Sequence, residues 1–89
     1  MQVEYRQLFL KDLKKLKKQP VYQRVFNLAF EILPNAKDLQ QVSNVKVLKG
    51  SPNRYRIRIG NYRVGIEVSE EKIEMMRVLH RREFYRYFP

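Results

Sequence analysis

Hydrophobic and polar positions alternate most regularly between Arg54 and Glu67, in the stretch RYRIRIGNYRVGIE. Read as two strands joined by a two-residue turn at Gly60-Asn61, it sets Ile59 opposite Tyr62 and Arg58 opposite Arg63. Side chains alternate along a strand, so Tyr55, Ile57, Ile59, Tyr62, Val64 and Ile66 share one oily face. Arg56, Arg58, Arg63 and Gly65 share the other. Directly opposed like charges destabilise a strand pair, so this arginine face suits an anionic ligand better than it suits stability. Gly65, opposite Arg56, either leaves a gap in the basic face for a bound group or marks a bulge.

The flanking patterns predict the other elements. Val3 and Tyr5 alternate with polar neighbours, which predicts a short first strand. Leu8, Phe9, Leu13 and Leu16 recur at helical spacing to about Lys18, with Lys11, Asp12, Lys14, Lys15 and Lys18 on the polar positions. Pro20 opens a second helix and Pro34-Asn35 ends it. Two apolar rows run along that helix, Val21/Val25/Leu28/Ile32 and Tyr22/Phe26/Ala29/Leu33, and so wide a stripe is a core face. The short link at Gln19-Pro20 makes the two helices an antiparallel hairpin. A polar loop over 35–44 leads to a brief strand at Val45, Val47 and Leu48, followed by a turn at Gly50-Ser51-Pro52-Asn53. Ser69-Glu70-Glu71 turns the chain again. Ile73 to Leu79 is apolar on both sides and predicts a central strand. Kept regular, that strand puts Arg77 and Arg81 on one face and His80 on the other, and a bulge near its end reverses this. The closing segment RREFYRYFP interleaves aromatics with arginines, a mixture that stacks bases and neutralises phosphates, while Phe84, Tyr87 and Phe88 equally serve to fasten the terminus. The pattern as a whole is α+β, a single domain over 1–89: a short N-terminal strand and a two-helix hairpin packed on a twisted antiparallel sheet.

Charge sharpens this picture. The 89 residues carry a formal net charge of +10, which points to nucleic acid, an anionic membrane or an acidic partner. The charge is concentrated: no carboxylate lies between Asp38 and Glu67, while Lys46, Lys49, Arg54, Arg56, Arg58 and Arg63 all do. There is no cysteine and a single histidine, His80, so disulfides, thiolate metal sites and histidine clusters are excluded. The acidic residues are scattered apart from Glu70-Glu71, which disfavours a two-metal nuclease and leaves no cofactor to expect. No apolar run is long enough to span a bilayer and MQVEYRQ is not a secretion signal, so the expected location is the cytoplasm, with no membrane partner.

The order strand, helical hairpin, LKGSPNRYRIRIGNYRVGIEV and then VLHRREFYRYFP resembles the RelE-like branch of the RelE/ParE superfamily of type II toxin-antitoxin toxins. The resemblance spans nearly the whole chain, is strongest from Leu48 to Val68 and in HRREFYR, and in the helices extends only to topology and polarity. It implies a metal-independent endoribonuclease that cuts messenger RNA on the ribosome, the ribose 2′-hydroxyl attacking the adjacent phosphate. Such chemistry needs a base, cations for the phosphate and an acid for the leaving oxygen. Position by position, the likeness implies that Arg56, Arg58, Arg63, Arg81 and Tyr85 form the catalytic group. Arg63 and Arg81 would hold the phosphate, Arg56 and Arg58 the RNA backbone, and Lys49 falls where a further basic residue is common. The best-known branch has lysines where this chain has Arg56 and Arg58, and an arginine is not a general base. Tyr85 and His80 are the two candidates for proton transfer, Tyr85 preferred because neighbouring cations favour a phenolate. Arg54, Arg77, Lys14 and Lys15 are candidate RNA contacts; the lysines of the first helix are most simply a solvated face, the alternative being a salt-sensitive contact with ribosomal RNA. The implied partners are mRNA, the ribosome and a RelB-like antitoxin with an acidic, amphipathic segment, joined to the toxin in a hetero-oligomer. Rival expectations are a ParE-like inhibitor that binds gyrase without cleaving, and an RNA-binding module without turnover.

Overall fold

A computed structural model describes residues 1–70 and 72–88; Glu71, part of the expected turn after Ser69, and Pro89, the last residue of the closing segment, lie outside the described residues. In chain order the elements are β1 (Gln2–Tyr5), α1 (Gln7–Lys15), α2 (Tyr22–Asn27), a π-helical turn (Leu28–Ile32), α3 (Leu33–Asn35), a 3₁₀ turn (Leu39–Gln41), β2 (Val45–Leu48), β3 (Ser51–Ile59), β4 (Tyr62–Ser69), β5 (Lys72–His80) and α4 (Arg81–Tyr87). The strands form a five-stranded sheet in the order β1-β5-β4-β3-β2. This is the α+β architecture that the pattern predicts, with β5 inside the sheet. One pairing was not legible: β1 runs parallel to β5, from Gln2↔Lys72 to Tyr5↔Met75. A parallel neighbour needs a long connection, which here is the whole chain between them.

The central hairpin is in the expected register, Ile59↔Tyr62 and Arg58↔Arg63. Gly60 takes φ +57° while Asn61 keeps a negative φ, so the turn uses glycine at its first central position, as a type II′ turn requires. The preceding turn differs from the expected one. Strand β3 begins at Ser51, which pairs with Leu48 across Lys49-Gly50, and Gly50 takes φ +79°. The register then jumps so that Val47 faces Tyr55. Pro52, which cannot donate to a ladder, sits in that jump.

One face of the sheet carries the main core. Ile57, Ile59, Val64, Ile66, Ile73, Met75 and Val78 pack with Phe9, Leu13 and Leu16 of the first helical segment and Val25, Leu28, Ala29 and Leu33 of the second. The second helical segment departs from its expected rows at one place. Its π turn accommodates an extra residue per turn and so rotates the residues beyond it, leaving Leu33 fully buried and Ile32 49% exposed. Within that turn the Tyr5 hydroxyl donates to the Ala29 carbonyl at 2.7 Å, and the Tyr5 ring stacks on Phe30. Burial raises the Tyr5 phenol above its ordinary value of 10. A folded value above the unfolded one means that the unfolded chain loses this proton first. Tyr5 therefore contributes its full share of stability below about pH 10, and that share decays as pH rises through the higher folded value. Urea unfolding of Tyr5→Phe is expected to show a loss of about 1 kcal/mol at neutral pH that shrinks in alkali; a gap constant up to pH 11 would contradict this.

Asp12, placed by the pattern on the solvent side of α1, is instead buried. It accepts from Arg77 and from the Val78 backbone N–H at 3.1 Å, so it is satisfied by β5 and not by water. Among the described residues no helix is long and apolar enough to cross a membrane.

Candidate active site

The opposite face of the sheet is where the arginines lie. Register places Lys46, Arg56 and Gly65 in one row across three strands, and Arg58 and Arg63 in the next. Lys46 was the residue that sequence reasoning passed over as a site residue; its signal was the alternation of β2, but only pairing with Arg56 shows which face it joins.

The closing segment forms a helix, α4, over this face. His80 caps it, its Nδ1 accepting from the Arg82 N–H at 3.2 Å. The Arg81 N–H donates to the Asn61 carbonyl at 2.8 Å, which ties the start of the helix to the hairpin turn. Phe84 and Phe88 are buried beneath it, whereas Tyr85 and Tyr87 are 58% and 52% exposed. Phe84 and Phe88 fasten the terminus as expected, but Tyr87, grouped with them by the pattern, is exposed beside Tyr85.

Gly65 proves to be a close-approach position. A Cβ there would lie 2.7 Å from two ring carbons of Phe88, so Phe88 fills the gap that the pattern offered to a bound group. A register shift beside Gly65, with Gly65↔Arg77 followed by Ile66↔Met75, adds the bulge as well, on β5 at Met76. Gly65→Ala is expected to cost about 1–3 kcal/mol in urea unfolding, since Phe88 must move and α4 with it. A parent-like midpoint would show that the ring gives way freely.

Tyr85 lines a groove of about 390 Å³ with Lys46, Val47, Leu48, Lys49 and Arg56. Arg63 lies within the electrostatic reach of the same group. Burial first, then the Arg56 guanidinium, push Arg63 below its usual value; Arg58 and Arg81 push the same way and Tyr85 opposes them. It stays charged, because an arginine does not deprotonate in a protein. Its Nη1 donates to the Gly60 and Tyr62 carbonyls, each at 3.0 Å, which anchors the head group. Among the described residues these carbonyls take two of the five guanidinium N–H donors, which leaves the three on Nε and Nη2. Crowded cations around an exposed phenol are, by their chemistry, able to hold an anionic group through charge-assisted hydrogen bonds.

Not every candidate joins this group. The His80 ring pairs across the sheet with Tyr62, on the helix side, and meets it edge-on at 5.3 Å. It lines a separate groove with Gln19, Arg24 and Asn61, so the structure does not bring it over the arginine face. Arg54 is in an ion pair with Glu67 at 3.0 Å and stacks on Phe88. Arg77 is held by Asp12, and this hydrogen bond raises its already high pKa further. Lys14 and Lys15 are exposed at the end of α1, apart from the arginine group. Lys49 does line the groove.

Comparison with known proteins converges on one family. Residues 3–85 match the profile of the family described as ParE toxin of type II toxin-antitoxin system, parDE. The chain is 42% identical to Toxin RelE3 of Methanocaldococcus jannaschii over 90 residues, covering all of both chains. It superposes on the RelB-RelE antitoxin-toxin complex from Methanococcus jannaschii with a TM-score of 0.78 at 40% identity, covering 97% of this chain and 99% of that one. The archaeal RelE-RelB complex from Pyrococcus horikoshii matches with a TM-score of 0.60 at 26% identity, covering 90% of this chain and 93% of that one. With these matches spanning essentially its full length, the chain belongs to the RelE/ParE superfamily as a RelE-like toxin of a type II toxin-antitoxin system.

Proposed function

We propose that this toxin is a metal-independent endoribonuclease that cleaves messenger RNA on the ribosome. The observation that carries the reading is the exposed Tyr85 hydroxyl in a groove with Arg56, Lys46 and Lys49, beside an Arg63 that feels Arg56, Arg58 and Arg81. Tyr85, reacting through its ionised oxygen, takes the proton of the ribose 2′-hydroxyl and becomes the neutral phenol. The freed oxygen attacks the adjacent phosphorus, the bond to the 5′-oxygen of the next nucleotide breaks, and solvent supplies that oxygen's proton. The products are a 2′,3′-cyclic phosphate and a 5′-hydroxyl. Arg63 and Arg81 hold the charge that builds on the phosphate, where fixed cations contribute most. Arg56 and Arg58, with Lys46 and Lys49, hold the RNA backbone. Arginine suits this work because its planar head group binds phosphate through paired hydrogen bonds.

A face this basic also needs an occupant when the toxin is silent. A RelB-like antitoxin with an acidic, amphipathic segment is the partner we infer, in a hetero-oligomer; supporting it, related toxins are found in complexes with RelB. The place of action is the cytoplasm, where message and ribosomes meet.

The test is incubation of the purified chain with translating ribosomes and mapping of message ends. New ends within the codon facing the toxin, bearing cyclic phosphate, are expected. Intact message at saturating toxin overturns the reading. A second reading, a gyrase inhibitor that does not cleave, is favoured by the ParE profile match; altered plasmid supercoiling in a gyrase assay together with intact message would establish it.

A further inference from the structure

Asp12 is the one buried charged side chain among the described residues. Its carboxylate accepts from Arg77 through Nε at 2.7 Å and Nη2 at 3.1 Å, and from the Val78 N–H at 3.1 Å. Strand β1 stops pairing with β5 at Met75, so the backbone beyond it would be an open edge. Asp12 closes that edge from α1. The same bond removes Arg77 from the cations offered to RNA and fixes the plane of its guanidinium.

That plane has a second neighbour. The Arg77 Cζ lies 5.7 Å from the centre of the Tyr87 ring, within cation–π range. Phe84 on α4 and Phe88 at its C-cap, whose N–H donates to the Phe84 carbonyl at 2.8 Å, form the buried row. At about 100° per residue, Tyr85 and Tyr87 fall on opposite flanks of that row. A greasy row alone lets a short helix roll about its axis, and any roll moves both tyrosines together. Holding one flank holds the other.

We propose that the Asp12–Arg77 pair, acting on the Tyr87 ring, sets the roll of α4 and so keeps the Tyr85 hydroxyl over the groove beside Arg56. Tyr87, Arg77 and Asp12 are positioning residues, and the catalytic consequence rests on the reading of Tyr85 given above. The chemistry asks for a flat ring at position 87 and a forked head group at position 77. A lysine there keeps the charge but loses both the paired hydrogen bonds and the flat face.

The experiment places 3-fluorotyrosine at position 85 and records its fluorine resonance in the parent chain, Tyr87→Phe, Tyr87→Leu and Arg77→Lys, alongside single-turnover cleavage and RNA affinity. Tyr87 is half exposed, so its replacement leaves the core closed. We expect the parent line in Tyr87→Phe and a shifted or split line in Tyr87→Leu and Arg77→Lys. In those two variants cleavage falls roughly tenfold or more, as misplacement of a reacting group does, while RNA affinity is unchanged. A parent-like line and rate in Tyr87→Leu would overturn the inference. If the line moves but the parent itself does not cut RNA, the ribonuclease reading fails and the control of α4 by Arg77 stands.

Discussion

Tyr85→Phe and Arg63→Ala each lower single-turnover cleavage on programmed ribosomes by roughly 100-fold or more. The two variants fail for different reasons. Phenylalanine preserves the ring that meets Phe84 edge-on at 5.0 Å, so α4 stays docked and only the proton acceptor is gone. Alanine at position 63 removes a cation whose head group is already oriented by the Gly60 and Tyr62 carbonyls. Raising the pH is expected to leave Arg63→Ala impaired, because no other group replaces its charge. Tyr85→Phe is expected to stay impaired as well, since no side-chain oxygen is left at position 85 to accept the proton. If both variants cut within a few-fold of the parent, the division of roles between base and phosphate ligand is wrong even where cleavage itself is real. Arg63→Ala relieves the direct opposition of Arg58 and Arg63 while losing the hydrogen bonds to the Gly60 and Tyr62 carbonyls; the two offset, and a stability change within about 0.5 kcal/mol is expected. Loss of rate with stability kept is the mark of a residue held for function.

Asp12→Ala is expected to destabilise the fold by about 3–5 kcal/mol in urea unfolding, the usual consequence of breaking a buried ion pair from one side. Two groups are stranded at once, the Arg77 guanidinium and the Val78 N–H. For a domain whose whole stability is of the order of 5–15 kcal/mol, that is a large fraction. Asp12→Asn keeps one acceptor oxygen and should lose less, while the double variant Asp12→Ala/Arg77→Met, apolar on both sides, should recover much of the loss. A loss below about 1 kcal/mol for Asp12→Ala would mean that the pair is solvated and contributes as a surface bridge does.

The central hairpin was legible because two independent local signals agree there. Strand alternation assigned each residue of Arg54 to Glu67 to a face, and Gly60-Asn61 set the register that opposes Arg58 to Arg63. The helices were legible as apolar rows, but the π turn was not, since either winding buries an apolar row and only contact with the sheet chooses Leu33 over Ile32. Asp12 looked like any polar position of an amphipathic helix. Its burial depends on a strand edge more than sixty residues away, and nothing local reports that. Likewise α4 was hidden in a segment whose mixture of arginine and aromatic residues fits several structures. Its helical state follows from two rings four apart meeting a sheet with a glycine notch.

Alternation and charge alone settled that this chain presents arginines on one side of a β-hairpin and an apolar surface on the other, because strand periodicity is a property of the backbone and needs no partner. Which cations share a groove with Tyr85, which are taken by Asp12 or Glu67, and which side His80 faces were decided only when the strands paired and the last helix docked. Those outcomes turn on distances between segments remote in sequence, and a strand's own pattern carries no record of what will lie beside it.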